Sequence, residues 1–134
     1  MNVHIFFLLY ALSLSLLIVF DFLWLGFIAK GFYRTRMGGL MGETVWIAAL
    51  VFYVLFTFGL TFFATYPAAT RGTFVTASIL GGLFGFFTYA TYDLSNLATL
   101  RGWSWQLSVV DMCWGTVLGS LVATAAVFVN TLVS

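Results

Sequence analysis

The chain has 134 residues, of which 63% are hydrophobic, 20% aromatic and only 7% charged. A soluble domain carries about 25% charged residues because its surface must face water, so five basic and four acidic side chains cannot cover a soluble exterior. The net charge of +1 comes with no basic patch, so no nucleic-acid partner is expected, and the class is integral membrane protein.

The first apolar segment covers about residues 3–29. A cleaved leader would have a basic start and an apolar core of about 7–15 residues. This run is longer and no Lys or Arg precedes it, so a retained helix is expected. A polar, Gly-rich connection follows, with Lys30, Arg34, Arg36, Gly38 and Gly39. The second segment, about 44–66, is rich in aromatics, among them Phe52, Phe56 and Phe63, which read as lipid surface or bundle core. Pro67 is expected to end it, because proline cannot extend the hydrogen-bond ladder and disfavours helix in the residue before it. The third segment covers about 73–97 and the fourth about 105–133. Each exceeds the roughly 20 residues needed to cross a ~30 Å hydrocarbon core. Backbone groups in lipid must be satisfied within their own segment, so the spans are helices, and the alternation of a membrane barrel is absent. The expected fold is all-α: one domain, an integral membrane bundle of four transmembrane helices.

Basic residues orient the bundle. Lys30, Arg34, Arg36 and Arg101 fall in the connections after segments one and three, while the opposite side holds only Arg71. The positive-inside rule then places both connections in the cytoplasm and both termini outside it.

Three acids, Asp21, Asp93 and Asp111, interrupt apolar helices. Counted from the outer ends of their segments they lie 18, 20 and 22 residues in, or heights of roughly 27, 30 and 33 Å. They are therefore expected at one level, near the cytoplasmic end, where Glu43 also lies. Tyr89, Asp93 and Asn96 share a helix face at i, i+4, i+7. On the fourth segment Ser104, Ser108, Asp111, Trp114 and Gly115 share another. Asp-x-x-Trp occurs twice, at Asp21/Trp24 and Asp111/Trp114, in helices that run in opposite directions. Gly81-x-x-x-Gly85 and Gly115-x-x-x-Gly119 let the third and fourth helices approach closely. Such Gly faces also suit a homo-oligomer or another membrane partner.

A charged carboxylate at the bilayer centre costs about 2.5–3.5 kcal/mol, and less near an interface. One reading has each acid at the boundary, paired with Arg34, Arg36 or Arg101. The other gathers Asp21, Asp93 and Asp111 in a polar pocket as proton donor, relay or cation-stabilising groups, with Tyr89 and Asn96 orienting them and Trp24 and Trp114 touching an apolar ligand. Trp24, Trp103 and Trp105 also fit interfacial anchors. Three carboxylates could hold Mg²⁺ or Mn²⁺, but the D-x-x-x-D spacing of many phosphate-binding metal sites is missing, so no metal and no cofactor is expected. One histidine, His4, at the amino end, excludes a bis-histidine haem within one chain. Cys113 is expected to be a small buried hydrophobe.

These features favour a membrane protein that binds or modifies a membrane lipid or other lipid-soluble small molecule. The rival readings are a proton-coupled carrier acting as an oligomer and a helper subunit without chemistry. Asp21-x-x-Trp24-Leu25-Gly26, Tyr33, the run Tyr92-Asp93-Leu94-Ser95-Asn96-Leu97-Ala98-Thr99-Leu100 and Asp111-x-x-Trp114-Gly115 together resemble the DUF2177 family of small bacterial membrane proteins of unknown function. The resemblance covers nearly the whole chain. It implies four helices in a bacterial inner membrane, and assigns no reaction and no catalytic residue.

Overall fold

A computed structural model describes residues 1–134. Helix α1 (Val3–Leu23) starts at Asn2, whose side chain accepts the Ile5 N–H and satisfies one orphan donor of the first turn. It continues as a π-helical turn, Trp24–Ile28, and bends at Ala29 into the short α2 (Lys30–Met37). Helix α3 (Trp46–Leu60) passes through a second π-helical turn, Thr61–Thr65, into α4 (Tyr66–Arg71). A capping box between Thr73 and Thr76 opens α5 (Phe74–Thr99). Ser104 caps α6 (Trp105–Val133) by accepting the Leu107 N–H. The fold is all-α, and four helical stretches are long and apolar enough to cross a membrane: Val3–Ile28, Trp46–Arg71, Phe74–Thr99 and Trp105–Val133. The shortest has 26 residues, about 39 Å at the helical rise, enough to span the hydrocarbon.

Two local features depart from the sequence reading. Pro67 does not end the second span, which runs on to Arg71. Proline lacks an N–H and crowds the carbonyl four residues back. The π-helical turn just before it loosens the ladder by one residue, so Pro67 falls in the opening turn of α4, where a missing donor matters least. The second departure is α2, which forms inside the connection read as irregular and folds back toward α6.

The bundle packs most closely along α5 and α6. A methyl group added at Gly81 or Gly85 would strike the carbonyl of Gly119 or Gly115, and one added at Gly119 would strike the carbonyl of Gly81. The two small-residue strips thus lie on each other inside the chain, as close packing without a hydrophobic force in lipid demands. The Ser78 and Ser120 hydroxyls meet at 2.7 Å beside this seam. Leu17, Phe56, Leu60, Leu118, Val122 and Val127 close the core around it. Cys113 is exposed rather than buried. Two residues along a helix is a turn of about 200°, so with Asp111 pointing inward, Cys113 points out.

Lys30, Arg34, Arg36 and Arg101 all lie at the end of the bundle that carries α2.

Candidate functional site

Asp21, Asp93 and Asp111 border one cavity of about 590 Å³, and all are buried, with 4%, 0% and 9% of their surface exposed. The level deduced by counting residues therefore corresponds to a real meeting point. The arginines proposed as partners are exposed, and no Arg, Lys or His lines the cavity. Boundary ion pairing is overturned: Asp21 and Asp111 take their hydrogen bonds from phenols and an indole.

Those bonds cross between helices. The Tyr53 hydroxyl on α3 donates to Asp21 Oδ2 at 2.5 Å, and Trp114 Nε1 on α6 donates to Asp21 Oδ1 at 3.0 Å. The Tyr33 hydroxyl on α2 donates to Asp111 Oδ1 at 2.7 Å and itself accepts from Trp24 Nε1 at 3.1 Å. The Trp24 and Trp114 rings stack with centroids 4.5 Å apart and planes 5° from parallel. The two Asp-x-x-Trp motifs are thus exchanged. Each tryptophan serves the other helix's acid, Trp114 directly and Trp24 through Tyr33. This follows from opposite chain directions, because the antiparallel setting brings each acid level with the other motif's indole. The π-helical turn beginning at Trp24 and the bend at Ala29 deliver Trp24 and Tyr33 to these places. Burial, and after it the charge of Asp111, pushes the Tyr33 phenol well above the ordinary tyrosine value, so it remains a donor.

Asp93 differs from the other two. Its backbone carbonyl accepts from Ser108 Oγ at 3.3 Å, and that hydroxyl is held by Trp103 Nε1 at 2.9 Å. Its carboxyl lies against that of Asp111, and neither of its oxygens receives a hydrogen bond from a protein donor. Two carboxyl groups in contact repel each other unless a proton lies between them. No three acidic, His or Cys side chains converge as metal ligands do.

The remaining sequence candidates divide. Tyr89 lines the cavity and rests its ring on Gly115. Trp114 lines it, while Trp24 stands behind as the stacking partner. Asn96 lies one turn beyond Asp93, half-buried and away from the cavity wall. Of the tryptophans read as anchors, Trp105 is 61% exposed, whereas Trp103 turns inward, lines the cavity and meets Tyr92 edge to face. Sequence reasoning did not name Tyr33, Tyr53, Phe52 and Tyr92 as wall residues, although Tyr33 and Tyr92 stand among the residues that carry the family resemblance. Tyr53 was within reach of the ruler that placed the acids: it stands ten residues after Glu43, as Asp111 stands ten after Arg101. Spacing gave Tyr33 no role, because that role needs a helix that periodicity did not announce.

Fold and site define the class: a four-helix integral membrane protein with a buried, carboxyl-lined cavity at one end of its bundle. The family can be stated as well. The chain belongs to the DUF2177 family, whose model, described as a predicted membrane protein, matches residues 6–128 and so takes in every side chain of the cavity. No curated protein and no solved structure matches it.

Proposed function

We propose that the cavity is the binding site for a lipid-soluble substrate, whose polar group meets Asp21, Asp93 and Asp111 while its apolar part contacts the surrounding rings. One observation carries this reading: three buried carboxyls border a single space whose wall is otherwise mostly apolar, with twelve hydrophobic residues among sixteen. That combination of apolar wall and few convergent polar groups is the ordinary build of a small-molecule site. Carboxyls on an apolar wall also suit proton exchange with the bound molecule, and Asp93 is the candidate for that role. The excess of Lys and Arg at this end of the bundle supports a cytoplasmic opening, and a bacterial inner membrane is the setting the reading assumes.

The test uses Ala49, a half-buried residue of the cavity wall on α3. The wild-type protein and Ala49→Phe are purified in mild detergent and their organic extracts compared by mass spectrometry. A lipid-soluble compound that accompanies the wild type and is lost from the filled variant, at equal monodispersity, supports the reading. Identical extracts overturn it.

A further inference from the structure

The chemical class of the ligand follows from what the cavity wall lacks. Asp93 and Asp111 touch, and their four oxygens receive one hydrogen bond from any other residue, that of Tyr33. Asp93 is fully buried, and a buried polar group without a partner is costly. The protein offers no cation to answer it, since none lines the cavity. The same cavity is lined by the rings of Tyr53, Tyr89, Tyr92 and Trp114, and aromatic faces attract a cation through their quadrupoles. Missing donors, acidic oxygens, a ring-lined wall and apolar room beyond it describe one kind of guest.

We infer that the cavity takes a protonated amine bearing an apolar chain, its N–H groups donating to the Asp93–Asp111 pair and its ammonium facing the surrounding rings. The inference rests on the reading of this cavity as a binding site and adds the headgroup. An acid is disfavoured, because its carboxylate would meet like charge with no cation nearby. A neutral alcohol supplies one donor and no charge. A quaternary ammonium keeps the charge but has no N–H, so the orphaned oxygens stay unserved.

The experiment titrates the whole protein, reconstituted in nanodiscs of neutral lipid, with octylamine, octyltrimethylammonium, octanol and octanoate, subtracting the heats of empty nanodiscs. Octylamine is expected to bind tightest, about tenfold or more ahead of octyltrimethylammonium, since charge-assisted hydrogen bonds outweigh contact alone. Octanol should be weaker still and octanoate silent. Asp93→Asn and, separately, Asp111→Asn should each lower octylamine affinity by about tenfold, with monodispersity and helical circular dichroism as the check that the fold is intact. Should a variant fail to fold, the ranking on the wild type decides. If octanol or octanoate equals octylamine, or if Asp93→Asn binds octylamine as the wild type does, the ammonium assignment is wrong and the binding-site reading survives. If none of the four binds beyond empty nanodiscs, both fall together.

Discussion

Helices α5 and α6 behave in opposite ways along their length. Between Gly81 and Gly85 on one and Gly115 and Gly119 on the other, backbone lies on backbone and no side chain fits. Past Gly115, where the Tyr89 ring takes over the contact, the wall is made of aromatic rings and carboxyls and the interior is open. The seam depends on the absence of side chains. The cavity depends on large ones, held in place by hydrogen bonds from α2 and α3. A bundle that is rigid where it is bare can hold an opening where it is furnished, because the seam fixes the spacing that the tyrosines and tryptophans then span.

The strongest attack on this contrast is at the seam. Gly85→Val would drive its side chain into the Gly115 carbonyl. Since neither backbone can yield, the cost should exceed the usual overpacking range of about 1–3 kcal/mol. No monodisperse folded protein is expected on size exclusion. The next largest effect lies in the cavity. Tyr53→Phe removes one of the two donors to Asp21 and should cost about 1–3 kcal/mol, the range for leaving a buried group without its partner, seen as a lowered thermal midpoint in detergent. Asp93→Asn should act in the other direction. Its amide N–H could donate to Asp111 without a shared proton, and neither Asp93 oxygen has a partner at present, so stability should rise by about 1 kcal/mol. A fall would show that Asp93 is already satisfied. Raising the pH tests Tyr33. An unfolded phenol ionises near pH 10, while the folded one resists ionisation because it is buried beside Asp111. The folded state therefore holds the proton longer, and the stability it contributes below about pH 10 is lost as pH rises beyond that value. Tyr33→Phe should flatten this part of the profile. Cys113→Ala, on the outer surface, should move the midpoint by no more than the equivalent of about 0.5 kcal/mol.

The two regions were not equally readable from the sequence. The seam announces itself, because glycine four residues from glycine in an apolar helix has few uses and the two strips occupy helices joined by a short connection. The convergence of Asp21, Asp93 and Asp111 was also readable, since distance from a helix end is depth and depth is nearly all that a bundle leaves to fix. The partners of those acids were not. Counting favoured arginines as much as a pocket, because each buried carboxyl has an exposed guanidinium group within roughly two to four helical turns along the chain. The choice of Tyr33 and Tyr53 rests on how α2 turns back at Ala29 and which way α3 is rotated, and neither is written in hydrophobic periodicity. Pro67 misled for a related reason. Its local rule is sound, but the π-helical turn at Thr61–Thr65 moved it to a position where the rule does not apply.

The near-parallel indoles of Trp24 and Trp114, 4.5 Å apart on opposite strands of the motif exchange, have an optical consequence. Chromophores so close couple their electronic transitions, so the pair should contribute an exciton couplet to the ultraviolet circular dichroism that neither indole gives alone. Loss of either ring would erase it while leaving the helical bands intact. The molecule thus carries its own label at the wall of the cavity, and anything that enters and prises the rings apart could be followed without adding a dye.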